Sequence, residues 1–358
     1  MNLLATITTK QASVIRARWK LEGGIPIVPG QRAISVQNRP AKIELTTLEQ
    51  LTWPKEGYVL REPDDAGSSL PDHPAIAGGM VVYDWTAKRI VWESDWGDRL
   101  ITPHGFVLAD GIAYVADLEG ANIFKVSLSE PGKLLGRISH PALNDIHGIA
   151  RTKRGLLVAN CGTDCLVELD FEGNALWEWW AAEHGLTMTP SGLSRSSGRG
   201  REHRNQFYHT RYQTTHVNNV DAYGDDDEYV LATLFHQGMI VRIDRTRPPE
   251  QQRAEIVLAG LARPHGPIPY SGGWLVCNSL GKEIVVLNAA LAVVESIPYD
   301  GGWIQDATEL SNGNIVLNDV DNHVLVELDA RDRREVARVE YDADWRMAEI
   351  RELPGRWN

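Results

Sequence analysis

The chain contains no cluster of lysine and arginine residues. Its 36 basic residues are outnumbered by 48 acidic ones, which gives a formal net charge of −12. Nucleic acids and anionic lipid surfaces are bound through concentrated positive charge. We therefore expect neither a nucleic-acid nor a membrane partner, and the acidic balance is typical of a surface that keeps a protein in solution.

Cysteine is also scarce, with only three residues in a chain of 358. Cys161 and Cys165 form a C-x3-C pair, and Cys277 stands alone. A small odd number does not make the disulfide framework of a secreted domain. A single C-x3-C pair is a weak metal signal, so we expect structural thiols.

Long apolar segments are absent from the sequence as well. No run approaches the roughly 18 apolar residues that a membrane-spanning helix requires. The opening stretch MNLLATITTKQASVIRARWK lacks the apolar core of a secretory signal. These features predict a cytoplasmic location.

Helical periodicity is missing between residues 80 and 345, where short β-branched stretches alternate with Gly, Asp and Asn. Folds built from parallel βαβ units are therefore excluded. One phrase recurs instead, with a histidine near its start. It reads ITPHGFVLADGIAYVAD from 101, NDIHGIARTKRGLLVAN from 144, ARPHGPIPYSGGWLVCN from 262 and, more loosely, QTTHVNNVDAYGDDDEYVLATL from 213.

The spacing of these histidines indicates a repeat with one insertion. In chain order they are 43, 69 and 49 residues apart, and the longest interval equals one 43-residue repeat plus 26 residues. We place the insertion at 187–212, because that stretch is polar, rich in Ser, Gly and Arg, and aperiodic. Repeats of about 40–45 residues with four short strands are typical of β-propeller blades.

Two further copies of the repeat depart from the phrase. The copy at 303–342 lacks the histidine of the phrase, and a sixth copy is split between the two ends of the chain. The C-terminal ADWRMAEIRELPGRWN resembles the opening of the fifth copy, and the missing strands are expected at 56–63, 79–85 and 89–95. The predicted fold is all-β, a β-propeller of six blades closed by a strand from the C-terminus.

This repeat pattern also defines the predicted domains. Residues 51–358 are expected to form a single propeller domain, with the insertion at 187–212 as a lid over the channel. Residues 1–50 do not fit the repeat. They are expected to form an N-terminal extension or cap packed on the propeller, or a seventh partial blade.

The first strand of each blade lines the central channel, so equivalent positions should form a ring. Four residues of this ring are found by counting 13 residues back from the polar end of each second strand. The looser phrase from 213 supplies a fifth. The sixth member is Glu349 or Ala348, depending on a one-residue choice of register. Histidine makes up only 11 of 358 residues, so four in one column are not expected by chance. The aligned residues are His104, His147, His216, His265 and Asp306.

Imidazoles that converge in a partly desolvated channel are expected to stay neutral, and neutral imidazoles bind Zn, Fe, Cu and Ni. We therefore predict a divalent transition metal held by the four aligned histidines, with Fe(II) favoured over Zn or Cu. Asp306 would act as a base or orient an imidazole. The leading hypothesis is an iron-dependent oxidoreductase acting on a small molecule, followed by a zinc lyase or hydrolase. A non-enzymatic interaction propeller is the third alternative.

Two stretches resemble the arylsulfotransferase family. They are GNALWEWWAAEHGL at 173–186 and THVNNVDAYGDDDEYVLATLFHQGMIVRID at 215–244. The shared features are Trp-Glu-Trp followed by a histidine, a Thr-His-x-Asn stretch, an acidic hairpin, and a His-Gln pair before an Ile-x-x-Ile-Asp run. The family fold is a six-bladed propeller with histidines in its channel, which agrees with the repeat count.

The resemblance implies sulfuryl transfer to a channel histidine as an alternative function. His216 and His236 match histidines of the family, whereas Phe235 replaces the arginine that binds sulfate. Arg211 or Arg263 would then have to supply the guanidinium. Tyr212, within the predicted lid, is a further candidate for a catalytic contact.

Overall fold

The computed structural model describes residues 1–9, 77–94, 102–118, 121–130, 132–190, 192–204, 208, 213–343 and 345–354. Within these ranges 24 β-strands make up the regular structure, apart from short 3-10 turns at Ala181–His184 and Pro249–Gln251. No helix in the described part of the chain is long and apolar enough to cross a membrane.

The strands follow one another in groups along the chain. The first group is β1 (Asn2–Thr9), β2 (Ala77–Asp84) and β3 (Arg89–Glu93). Blade 1 contains β4 (Pro103–Ala109), β5 (Ile112–Asp117), β6 (Asn122–Ser127) and β7 (Leu134–Ile138). Blade 2 contains β8 (Ile146–Arg151), β9 (Leu156–Asn160), β10 (Cys165–Leu169) and β11 (Ala175–Trp180).

The second half of the chain repeats the pattern. Blade 3 contains β12 (Val217–Tyr223), β13 (Tyr229–Leu234), β14 (Met239–Asp244) and β15 (Glu255–Leu258). Blade 4 contains β16 (Pro264–Tyr270), β17 (Gly273–Asn278), β18 (Glu283–Asn288) and β19 (Val293–Pro298). Blade 5 contains β20 (Ile304–Glu309), β21 (Ile315–Asp319), β22 (Val324–Leu328) and β23 (Glu335–Glu340), and β24 (Trp345–Glu352) ends the series.

Six four-stranded antiparallel sheets form a six-bladed propeller. Blade 6 has the strand order β24-β1-β2-β3, so its innermost strand comes from the C-terminus, as predicted. Each innermost strand contacts those of both neighbouring blades, and β24 contacts both β20 and β4. The ring is therefore closed through non-covalent pairing of the two ends of the chain.

The predicted boundary between a cap and the propeller does not hold for the first residues of the chain. β1 pairs with β24 on one side and with β2 on the other, in the position that had been expected for residues 56–63. Leu3, Ala5 and Ile7 face the core between blades 5 and 6, whereas Leu4 faces the core between blades 6 and 1. Residues 56–63, and residues 10–50 of the predicted cap, lie outside the described residues.

The hydrophobic core is divided into clusters between neighbouring blades. Trp180 is buried between blades 1 and 2, and Trp179 between blades 2 and 3. The indole nitrogen of Trp179 donates a hydrogen bond to the carbonyl of Gln252 at 2.8 Å, so its one polar atom is satisfied. The blades are thus held face to face, and the innermost strands are fixed around a common axis.

Candidate functional site

A β-bulge interrupts the innermost strand of every blade and sets the register of the channel. In each blade, a pairing before the bulge joins the innermost strand to the neighbouring second strand; blades 4 and 6 have more than one such pairing, and the reference residue there is the one that corresponds to Pro103 of blade 1. In blades 1, 2 and 4 this residue pairs with the polar end of the second strand, 14 positions later. The paired residues of blades 1 to 6 are Pro103, Ile146, Val217, Pro264, Ile304 and Met347.

This register corrects the predicted single column. His104, His147 and His265 follow the paired residue directly, and Asn218, Gln305 and Ala348 occupy the same position in the other blades. We call this position the histidine level. His216 instead comes one residue before the paired residue of its blade.

The acidic members of the column lie one residue beyond the histidine level. Asp306 in blade 5 and Glu349 in blade 6 share this position. The count of 13 failed in blade 5 because Ile304 pairs with Asp319, 15 positions later rather than 14. Asp306 therefore does not lie on the histidine level, and the sixth member of that level is Ala348.

Three of the predicted ligands form a continuous row of imidazoles. The ring centroids of His104 and His147 are 4.4 Å apart, and those of His147 and His216 are 4.7 Å apart. His216 joins the row from outside the strand through a left-handed backbone conformation with φ of +47°. That conformation is uncommon for a residue other than glycine.

The protonation pattern of His104 and His147 is fixed by main-chain carbonyls. The Nδ1 atom of His104 is 3.1 Å from the carbonyl oxygen of His147, and Nδ1 of His147 is 3.2 Å from that of Asp145. A carbonyl only accepts hydrogen bonds, so each Nδ1 carries the proton. In the neutral form of each ring the lone pair is therefore on Nε2.

His216 has the same tautomer, held by a side-chain amide. Its Nδ1 is in a short contact with Oε1 of Gln213. The amide nitrogen of Gln213 donates to Oδ2 of Asp145 at 2.7 Å and to the carbonyl of Tyr208 at 2.9 Å, which fixes the amide so that its oxygen faces His216. His216 must therefore donate from Nδ1 and keep its lone pair on Nε2.

His265 completes the pattern through a hydroxyl. Its Nδ1 lies 2.8 Å from Oγ of Ser279, and that hydroxyl donates to the carbonyl of Ile304 at 2.6 Å. Because the hydroxyl hydrogen is used, Ser279 accepts the Nδ1 hydrogen of His265. All four histidines thus expose Nε2, which makes no hydrogen bond to another described residue.

Burial keeps the rings of His104, His216 and His265 neutral. Burial, reinforced by the neighbouring His147, holds the pKa of His104 and of His216 well below the usual value. For His265 burial is again the main cause and lowers the pKa to about 3. Neutral imidazoles with free Nε2 atoms can bind a metal ion or act as bases and nucleophiles.

A buried thiol lies beside the central pair of imidazoles. One donor atom from each of His147, Cys161 and His216 lies within 4.8 Å of the others, and this is the grouping with metal-ligand spacing in the described part of the chain. The Cys161 thiol donates to the carbonyl of Val217 at 3.0 Å. Burial raises its pKa well above the usual value, so the sulfur is held as a thiol.

His265 is separated from the row by an aromatic side chain. Phe235 contacts His216 at 4.8 Å and His265 at 5.6 Å between ring centroids. Trp303 packs on the other side of His265, also at 5.6 Å. The four predicted ligands therefore surround one end of the channel, but His265 does not stack directly in the row.

His236 and Arg263, two further predicted catalytic residues, lie beside the row of imidazoles. His236 lies 5.5 Å from His216 between ring centroids, and its Nδ1 accepts a hydrogen bond from Arg263 at 3.1 Å. The Arg263 guanidinium also packs over the Phe235 ring at 5.0 Å. Tyr212 and Arg211 lie outside the described residues.

The described part of the predicted lid is anchored to the site. Arg195 is 4% exposed and forms an ion pair with Asp164 at 2.7 Å. Asp164 also accepts hydrogen bonds from the backbone nitrogens of Thr214, Thr215 and His216 at 2.7–2.9 Å. The segment around Arg195 is therefore a fixed wall that positions His216. Sequence spacing gave no signal for Asp164, because its partners come from distant parts of the chain.

A second polar group follows the histidine level along the channel. We call it the carboxylate level, and it consists of Asp306, Glu349 and Arg351. Arg351 donates to Asp306 at 2.7 Å and to Glu349 at 2.9 Å. The two carboxylates also accept the backbone N–H groups of Ile350 and Phe106, at 2.8 and 3.2 Å. These groups follow the bulges of the next blades, so both acids support the backbone. The predicted role of Asp306 as a base or as the partner of an imidazole is not seen, because none of its hydrogen bonds among the described residues goes to a histidine.

The channel widens beyond the carboxylate level. A cavity of about 380 Å³ lies there, with apolar walls and several charged groups. Burial raises the pKa of one of these groups, Asp221, to about 6. The lining includes Phe106, Ile149, Arg151, Val220, Asp221 and Arg351.

The buried carboxyl group of Glu349 leads to a specific prediction for the pH dependence of stability. Burial, only partly opposed by Arg351 and increased by Asp306, raises its pKa to about 8. In the unfolded chain this carboxyl group ionises near pH 4.3. The favourable contribution of the protonated, buried group to the free energy of unfolding is therefore full below that pH, and it is lost as the pH rises through about 8. Between pH 5 and pH 8.5 the wild-type protein is expected to lose about 1–3 kcal/mol more of its free energy of unfolding than the Glu349→Gln variant does.

Urea unfolding at several pH values measures this effect. Glu340→Gln serves as the control, because Glu340 is an exposed residue of an outer strand. A wild-type pH profile that is unchanged by Glu349→Gln would show that Glu349 is ionised in the folded protein at neutral pH.

Comparisons with known proteins support the fold. No protein-family model and no curated protein matches the sequence. One chain of a nidogen/laminin complex is similar with a TM-score of 0.54 and 13% identity over 77% of this chain and 95% of that one. A protein of unknown function from Bacteroides caccae is similar with a TM-score of 0.53 and 15% identity over 76% and 94% of the two chains.

A streptogramin B lyase structure is a further relative in shape, with a TM-score of 0.50 and 12% identity over 74% of this chain and 76% of that chain. Identities this low establish a shared β-propeller architecture and carry no function. The resemblance to arylsulfotransferases has no support among these matches.

Proposed function

We propose that this protein is a metal-dependent enzyme whose transition metal is bound by the channel histidines. One observation carries the proposal: all four histidines have Nδ1 on a fixed acceptor and leave the Nε2 lone pair free. Histidines that bind metals in proteins almost always donate their second ring N–H to such a partner, which fixes the tautomer and raises ligand basicity.

The spacing of the row fits a shared ion. Two imidazoles bound at right angles, with metal–nitrogen bonds of about 2.1 Å, have ring centroids about 4.5 Å apart. The separations of 4.4 and 4.7 Å along the row of His104, His147 and His216 are close to this value. We propose these three as the ligands. The donor atoms of His147 and His216 already have metal-ligand spacing, whereas the His104 ring would have to turn its Nε2 toward the ion. His265, behind Phe235, would face the substrate side instead of the metal.

The donor set bears on the metal. Three neutral imidazoles leave coordination positions open and suit Fe(II), so iron-dependent oxidation of a small molecule is our first proposal for the reaction. Cys161 would become a fourth ligand only by losing its proton and its contact with Val217. Zn(II) favours that change, and it would supply Lewis-acid chemistry for a lyase or hydrolase reaction.

Metal analysis tests the proposal. Protein purified without chelator, or reconstituted with Fe(II), Zn(II) or Co(II), is expected to hold about one equivalent of metal per chain. The spectrum of the Co(II) form distinguishes the donor sets, because a thiolate-to-metal charge-transfer band appears only if Cys161 is a ligand. Less than about a tenth of an equivalent after reconstitution would exclude the proposed site.

Sulfuryl transfer through a channel histidine is the second candidate. The observation in its favour is that Arg263 packs over Phe235, so a guanidinium lies next to the position where the resemblance expects an arginine. A free Nε2 on His216 would be the nucleophile. Transfer from an aryl sulfate to a phenol that persists after chelation would support this function and contradict a metal-dependent one.

A further inference from the structure

The entrance to the histidine level is built by three consecutive blades. The residues that directly precede the paired residues of blades 4, 5 and 6 are Arg263, Trp303 and Arg346. The innermost strands of a propeller run in the same direction around the axis, so these three residues stand on the same side of the histidine level. Both arginines are exposed, and Trp303 is half-buried.

The two guanidinium groups are not neutralised by carboxylates. Arg351, deeper in the channel, is paired with both Asp306 and Glu349. In contrast, neither Arg263 nor Arg346 forms an ion pair within the described ranges. Arg346 is close enough to contribute to the lowered pKa of His104 and of His265. In a chain with a net charge of −12, the side of the entrance formed by blades 4 to 6 thus carries positive charge. Asp145 has the equivalent position in blade 2, on the other side, and accepts a hydrogen bond from Gln213.

Aromatic surface lies between these charges. Trp303 and Phe235 are 6.4 Å apart between ring centroids, and Arg263 packs over Phe235 at 5.0 Å. The Trp303 indole nitrogen donates to Gln305 at 3.0 Å, which fixes the ring. A flat ring that entered here would meet two aromatic faces before it reached the imidazoles.

An unsatisfied donor lies on the histidine level itself. Asn218 occupies the position that holds a histidine in blades 1, 2 and 4, and it is 1% exposed. Its side-chain nitrogen has no hydrogen-bond partner in the described parts of the chain. A buried donor without a partner destabilises the folded protein, and an oxyanion held at this level would satisfy it.

We propose that the substrate of the histidine site is a planar aromatic carboxylate, bound by Arg263 and Arg346, with its ring against Trp303 and Phe235. The Asn218 amide donates to the substrate on the side of the imidazoles. A carboxylate conjugated to an aromatic ring lies in the plane of the ring. It can therefore meet a guanidinium edge-on while the ring stacks, which a tetrahedral sulfate cannot do as well. The substrate class deepens the proposed function, but its binding requires only this chain.

Ligand binding to the metal-free full-length protein tests the substrate class. The probe is 2-naphthoate, compared with the neutral 2-naphthamide by calorimetry and tryptophan fluorescence. We expect the carboxylate to bind at least about ten-fold more tightly, the range of a charge-assisted hydrogen bond. Arg263→Gln and Arg346→Gln should each weaken naphthoate about ten-fold and leave naphthamide unchanged. Trp303→Leu should weaken both ligands.

Arg331→Gln is the matched control, since Arg331 is an exposed turn residue between outer strands. Equal affinities for the two ligands, or a charge preference that survives in the Arg263→Gln/Arg346→Gln double variant, would overturn the inference. Tighter binding of phenyl sulfate than of naphthoate would also overturn it. If the protein prefers naphthoate but binds no metal, the carboxylate site is supported and the metal-dependent function is contradicted. Failure of the substrate proposal can therefore be distinguished from failure of the proposed function.

Discussion

Replacing His147 by alanine is expected to weaken the binding of Zn(II) or Co(II) by more than about 100-fold, because loss of a ligand exceeds the 10–100-fold cost of losing its supporting partner. His147 is the middle ring of the row and contacts both His104 and His216. It also accepts, through its carbonyl, the Nδ1 hydrogen of His104. Competition with a chromophoric chelator measures the affinity.

A set of matched variants separates a ligand role from a general structural one. His140→Ala is the control, because His140 is half-buried in the connection before β8. His216→Ala should match His147→Ala, whereas His265→Ala should change metal affinity much less, since Phe235 separates that ring from the row. Equal effects of His147→Ala and His140→Ala would contradict the proposed ligand set.

The sequence was sufficient to predict the propeller because its evidence is local and repeated. The Pro-His-Gly phrase marks the innermost strands of blades 1 and 4, and the related Ile-His-Gly phrase marks that of blade 2. The similarity of WRMAEI to WIQDAT revealed the closing strand β24. Alternating apolar residues and turn residues in each copy specify short antiparallel strands. Patterns that recur every 40–50 residues are what a repeat architecture imposes on a sequence.

The errors arose where structure depends on non-local pairing. β1 is joined to β2 across more than 60 intervening residues, and nothing in NLLATITT indicates which strands it will lie between. In blade 5 one additional residue between Ile304 and Asp319 moved Asp306 off the histidine level. A one-residue shift changes the face or level of every side chain that follows, and sequence counting does not detect it.

The groups that orient the histidines were also beyond sequence reasoning. Gln213 precedes His216 by three residues, and Ser279 follows His265 by fourteen, with no motif in common. Cys161 follows β9, and it approaches His147 and His216 only because strands of blades 2 and 3 are neighbours in space. Convergence on the channel axis brings such residues together, and each blade uses a different acceptor for the same purpose.

The largest effect on stability is expected from Arg351→Met. The side chain is the shared partner of Asp306 and Glu349, which are 1% and 4% exposed. Its loss leaves two buried carboxylates without a cation, and breaking a buried ion pair in this way costs about 3–5 kcal/mol. Urea unfolding at pH 8 measures the loss. The cost should be smaller at pH 5, because both carboxyl groups have raised pKa values through burial and then take up protons.

Two comparisons test whether uncompensated charge causes this loss. Adding Asp306→Asn and Glu349→Gln to Arg351→Met removes both carboxylates and should restore most of the stability, since the amide oxygens can still accept from Ile350 and Phe106. Arg151→Met removes a guanidinium from the wall of the same cavity, but one that donates to main-chain carbonyls, so it should cost less at every pH. If the triple variant is no more stable than Arg351→Met, the arginine contributes through packing of its aliphatic stem. The carboxylate level would then depend on shape and not on charge.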